Sequence, residues 1–393
     1  MSRWQAFFSY SFRPFFLLGS IFSIVIVALW LAALHAPMGL PPMMLYWHGH
    51  EMLVGFAMAA VAGFVLTAVA NWTKRPAIHG APLMLLVASW LIGRVIMGFA
   101  FAFPPVLAAV ADMLFPLLLL FLVGREIVSG GNNRNYPVVF IVGLMAALNL
   151  LYHLSRAEFA GFGLVQERMA IYLLLHLVLL LIAVIGGRIV PAFTGNWLRM
   201  KHGPEVKMPV SNIALDIVAL VSMIAVGIAD ALMPLYPASV DWLLISAGLA
   251  AAAHLGRLLF WRGLATVSNP LLFVLHVAYL WFPLGYICYA ASYSGFALPP
   301  SVALHALTMG VIGMMIYAVT TRVALGHTGR PLLASRSVVI AYGLMMLAVI
   351  VRIAGAFSTN YLSMVDTSGL LWMIAFGIFI YVYWPVLTTP RPD

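Results

Sequence analysis

Apolar residues fill the chain in twelve stretches of about twenty residues, separated by short segments rich in polar residues, Pro and Gly. They predict helices over about 15–35, 48–70, 82–101, 105–124, 136–154, 168–190, 211–229, 240–261, 269–291, 301–322, 336–357 and 367–387. Each can cross a hydrocarbon core of about 30 Å at about 1.5 Å per residue. The connections carry helix breakers: Pro37, Pro41 and Pro42; Pro76; Pro104 and Pro105; Gly130-Gly131-Asn132-Asn133; Pro299 and Pro300. The longest runs over about 191–210. No Gly/Ser linker or low-complexity tract divides the chain. The expected organisation is therefore all-α: a single polytopic membrane domain, 1–393, built as a bundle of about twelve transmembrane helices. The first apolar run, Phe15 to Leu34, is longer than the roughly 7–15-residue core of a cleaved leader, so it reads as a retained span.

Composition narrows the class. Of 393 residues only 8% are charged and 64% are hydrophobic. Soluble domains carry about 25% charged residues, so a soluble enzyme is excluded. The same numbers exclude disorder, collagen and coiled coil. One cysteine, Cys288, excludes a disulfide framework and a multi-Cys metal site.

Charge orients the bundle. The 20 Lys and Arg outnumber the 11 Asp and Glu, for a net charge of +9. Sixteen of the basic residues fall at alternate helix ends and loops, from Arg3 and Arg13 through Arg199, Lys201 and Lys207 to Arg330 and Arg391. The opposite loops hold only Arg156 and Arg168. The positive-inside rule then places both termini in the cytoplasm. This pattern points to lipid, not nucleic acid, as the basic surface's partner. The last two basic residues, Arg94 and Arg352, fall inside predicted helices.

Eleven histidines are many for so apolar a chain. His48 and His50 open the second helix in Trp47-His-Gly-His-Glu-Met52, and His305 opens the tenth in His305-Ala-Leu-Thr-Met-Gly310. Both helices start on the outer side, which puts these imidazoles at similar depth. His176 lies on the sixth helix, His153 ends the fifth, and His254 and His276 lie on the adjacent eighth and ninth. Ionisable residues inside a membrane usually face the bundle interior or a cavity. For any one of them the ordinary role is an interhelical hydrogen bond. Two imidazoles at one depth on different helices are what a haem iron needs. His48 and His50 sit about 200° apart around a helix, so one could ligate haem and the other a second metal or a propionate. The small residues Gly55, Ala59, Gly63, Gly310 and Gly313 offer space for the macrocycle, and equally suit helix packing. Arg94 and Asp112 lie at similar depth across a short turn, which suits an ion pair. Arg94 or Arg352 could alternatively hold a haem propionate. Glu51 and Asp216 are candidate proton carriers or pairing groups. Imidazole also suits copper, with His153, His176, His254 or the spare member of the 48/50 pair as donors.

Several blocks together resemble the NnrS proteins: Phe12-Arg-Pro-Phe-Phe16, Trp47-His-Gly-His-Glu-Met52, Asn71-Trp-Thr73, Gly186-Gly-Arg-Ile-Val-Pro191, Leu275-His276, His305-Ala-Leu-Thr-Met-Gly310 and Thr321-Arg-Val-Ala-Leu-Gly-His-Thr-Gly-Arg-Pro331. The likeness runs from about residue 12 to Pro390-Arg391. It implies a bacterial inner-membrane protein that contains haem b and copper and is linked to nitric oxide metabolism and nitrosative stress. A weaker likeness reaches the haem–copper oxidase subunit, through His48 or His50, His176 and His305. There the departures are Ala303, where a second haem ligand is expected, and a seventh helix without a His-His pair. A second haem would need His276, His254 or His176.

The sequence thus reads as a haem- and copper-containing membrane protein that handles nitric oxide, as a nitric oxide reductase-like oxidoreductase served by an unidentified electron donor. Two other classes compete: a polytopic transporter, and a protein that carries haem or copper without turnover. A transporter needs paired halves with polar residues in broken helices, and neither half shows them.

Overall fold

A computed structural model describes residues 1–36, 42–296 and 298–392. Among them there are twelve long apolar helices and no strand. We label these α1 (Phe12–Leu34), α2 (Met44–Thr73), α3 (Ala81–Gly98), α4 (Pro105–Ser129), α5 (Asn133–Arg156), α6 (Leu164–His202), α7 (Ile213–Leu232), α8 (Ser239–Phe260), α9 (Pro270–Tyr293), α10 (Pro300–His327), α11 (Arg336–Gly355) and α12 (Tyr361–Thr388). Each expected helix has its counterpart, and the chain is a multi-pass membrane protein. Two expected breakers, Pro37 and Pro41, lie outside the described residues.

The helices start where local chemistry permits. Asn212 caps α7 by accepting from the amides of Ala214 and Leu215, and Ser335 caps α11 through Val338. Pro occupies the first turn of α3, α4, α9 and α10, where its missing N–H costs nothing. Along α4 an apolar stripe faces outward: Val106, Val110, Leu114, Leu117, Phe121 and Val128 are exposed, whereas Asp112 and Glu126 are buried. Apolar outside and polar inside is the order expected in lipid.

Three boundaries differ from the sequence expectation. α6 continues through Pro191 for 39 residues, about 58 Å at 1.5 Å per residue. Much of the expected 191–210 connection is therefore helix. α10 runs on to His327, which ends a helix instead of lying in a loop. On α2, His48 and His50 sit inside the helix, more than a turn past its start.

α2 and α10 share a further feature. Each changes from α- to π-helical winding directly after a histidine of its motif: Glu51–Ala57 succeeds His50, and Ala306–Gly313 succeeds His305. The wider turn inserts a residue and re-aims the side chains beyond it; such stretches concentrate at functional sites. In their most apolar windows, 78% of α2 and 72% of α10 is buried, the highest shares of the twelve.

The described chain forms two compact units. One comprises Met1–Leu174, Val323–Pro331 and Phe379–Asp393; the other comprises Leu175–Arg322 and Leu332–Ile378.

Candidate functional site

The first unit contains a buried polar cluster drawn from four helices. α2 supplies His50 and Glu51, α3 Arg94, α4 Asp112, and α5 Asn149 and His153, all 5% exposed or less. Arg94 donates to Glu51 Oε1 at 2.6 Å and pairs with Asp112 Oδ1. Asp112 Oδ2 accepts from Asn149 Nδ2 at 2.7 Å, and His153 Nε2 and His50 Nε2 stand 2.8 and 3.2 Å from it. Small residues make room. A Cβ on Gly93 would lie 3.1 Å from Asp112 Oδ1, and one on Gly55 would meet Phe22 and the Arg94 guanidinium.

Asn149 turns its N–H₂ to Asp112, so its carbonyl oxygen faces His50 Nε2 at 2.8 Å. Only an N–H can sit opposite that oxygen. His50 Nδ1 lies 2.8 Å from Glu51 Oε1, again an acceptor. Opposite an ionised Glu51, His50 therefore carries a proton on both nitrogens. His50 and Arg94 balance Glu51 and Asp112, which is how a buried charge cluster becomes tolerable. The His50 ring also stacks on Tyr152, with centroids 4.3 Å apart.

Among the described residues, His50, Asp112 and His153 form a trio whose ligand atoms all lie within 4.8 Å of one another. Two imidazoles and a carboxylate suit a first-row transition metal.

The other expected residues lie elsewhere. His48 stacks on Trp30 at 4.4 Å. In the second unit, His305 Nδ1 lies 2.7 Å from the carbonyl of Ser301 one turn earlier. A carbonyl only accepts, so Nδ1 carries a proton. His176 Nε2 stands 3.2 Å from Asp230 Oδ2, and its Nδ1 is buried without a hydrogen-bond partner. Gly227 accommodates that ring: a Cβ there would fall 2.9 Å from His176 Cβ. His276 Nε2 meets Thr194 Oγ1 at 2.9 Å. His254 lies between Tyr279 OH at 2.8 Å and Met223 Sδ at 3.1 Å, stacked on Phe282. Arg352 donates to Tyr361 OH at 3.0 Å. Asp216 pairs with Arg257 Nε at 2.8 Å.

The expected space beside the small residues is filled. Phe16 packs into the notch at Gly63, Trp281 at Gly310, and Trp372 at Gly313. These glycines admit aromatic side chains, so their role is helix packing. Asn149 is not among the residues the sequence singles out. Its signal is a polar amide within an apolar helix, four residues before His153 and so on the same face.

A family model described as NnrS protein matches residues 6–391. The chain belongs to the NnrS family. No curated protein matches it.

Proposed function

We propose that this member of the NnrS family is a haem b- and copper-containing protein of the bacterial inner membrane that handles nitric oxide and protects against nitrosative stress. The reaction class we assign is reductive coupling to nitrous oxide, with electrons from a donor outside the chain. The observation that carries the reading is the His305 geometry. An N–H held by a backbone carbonyl orients the ring and fixes a proton on Nδ1, which is how metal-bound histidines are usually supported. On α2, His50 belongs to the trio with Asp112 and His153, so the copper role there goes to His50 and the haem role to His48. Haem supplies an iron that binds nitric oxide, a gas that partitions into lipid.

The chemistry of the trio fits copper. A monovalent cation replacing the Nε2 proton of His50 leaves the charge balance of the cluster unchanged. In the other unit, His176 offers a metal donor of its own, because Asp230 holds its Nε2–H and leaves Nδ1 as the lone pair. The test is nitric oxide consumption by the purified, dithionite-reduced protein, monitored with an electrode alongside metal analysis. Consumption that falls with copper content in His153→Ala supports the reading. Metal-replete protein that neither binds nor consumes the gas would refute it.

A further inference from the structure

We propose that the chain binds a phosphate group at the membrane face where α1 begins and α10 and α12 end, through Arg13, Arg330 and Arg391. The group is either a phospholipid headgroup or a free phosphate. These arginines belong to sequence blocks that the metal reading does not use: Phe12–Phe16, Thr321–Pro331 and Pro390-Arg391.

Arg13 lies in the first turn of α1 and is 2% exposed. Its Nη1 donates to the carbonyls of Leu387 and Thr389 at 3.0 and 2.7 Å, oxygens at the end of α12 with no further helical turn to satisfy them. Its Nε is buried without a partner. Arg330 donates from Nη2 to Thr389 Oγ1 at 3.1 Å, and its Nη1 is likewise buried without a partner. The two guanidinium groups therefore flank a single residue. The third, Arg391, lies over Gly329 where a Cβ would stand. Gly329 has φ +71°, which suits glycine and allows this close approach.

Among the described residues, none of the three arginines pairs with a carboxylate. Buried charge of one sign is normally neutralised. The α10 and α12 termini contribute about half a negative charge each and the start of α1 about half a positive one, against three full positive ones. Burial accordingly holds the Arg330 guanidinium below its ordinary range. Two buried N–H donors remain unused beside an exposed third guanidinium. A phosphate offers three or more acceptor oxygens and negative charge, and guanidinium forks match it.

The test uses the full chain, purified and delipidated in detergent, with thermal unfolding as the readout. The ligands are inorganic phosphate, chloride at matched ionic strength, phosphatidylglycerol, and oleate as an anionic amphiphile without phosphate. The variants are Arg330→Gln and Arg391→Gln; they avoid Arg13, whose loss could release the α12 end. Arg134→Gln, an exposed arginine on another turn, is the control. Stabilisation by phosphatidylglycerol but not by phosphate identifies a headgroup site, and stabilisation by phosphate identifies a free-anion site. In either case the two variants should weaken the apparent affinity about tenfold or more, since hydrogen bonds to charged groups are lost, while the control responds as wild type. If neither phosphate-bearing ligand stabilises beyond chloride or oleate, or if both variants respond as wild type, the proposal is wrong.

Discussion

His153 Nε2 and Asp112 Oδ2 meet at 2.8 Å between α5 and α4, and both side chains are buried. Asp112 also takes Arg94, Asn149 and His50, so one carboxylate joins four helices.

Removing that charge should therefore be costly. Asp112→Asn leaves His50 and Arg94 facing Glu51 alone, an excess positive charge in a buried site. The expected loss is about 3–5 kcal/mol, read as a lowered thermal transition in detergent. Arg94→Gln added to Asp112→Asn restores the charge count, so the double variant should be less destabilised than the two singles summed. Strict additivity would remove the charge-balance argument.

The α2 histidines should behave differently from each other. His50→Ala strands Glu51 and Asn149 and should lower both stability and copper content. His48→Ala should alter the haem spectrum with little change in melting temperature. Identical phenotypes in the two variants would contradict the division of roles.

At His176 the expectation is a metal phenotype without a haem phenotype. His176→Ala should lower copper content or nitric oxide reactivity while the low-spin haem spectrum survives. Gly227→Ala should act in the same direction, since its Cβ would press on the His176 ring. If His176→Ala leaves copper and reactivity unchanged, the Asp230 contact is an ordinary interhelical hydrogen bond.

Topology has its own test. Both termini and the end of α6 are expected in the cytoplasm. With Cys288 replaced by Ser, single cysteines at Ser2 and Lys201 should resist an impermeant reagent in intact cells and react after lysis. Labelling in intact cells would invert the arrangement.

The helix count and the apolar order were legible because a lipid solvent demands about twenty apolar residues per span. The Arg94 and Asp112 placement was legible because α3 and α4 meet in a tight turn, so depth counts from one end. The extension of α6 was not, because Pro191 resembles a breaker and the polar turns beyond it carry no apolar period. The π-helical stretches after His50 and His305 leave no mark on a 3.6-residue pattern. Nor does sequence spacing reveal that Asn149 orients its carbonyl toward His50; only the position of the accepting Asp112 oxygen decides that.

The proposed haem ligation by His305 has a spectroscopic signature. The most direct measurement is the optical spectrum of the purified protein from haem-sufficient cells, oxidised and dithionite-reduced, beside stably inserted His305→Ala. The account predicts a Soret band with sharp reduced α and β bands in the wild type, and their loss or conversion to a high-spin form in the variant. A colourless wild-type preparation, or a variant with an unaltered low-spin spectrum, would contradict it.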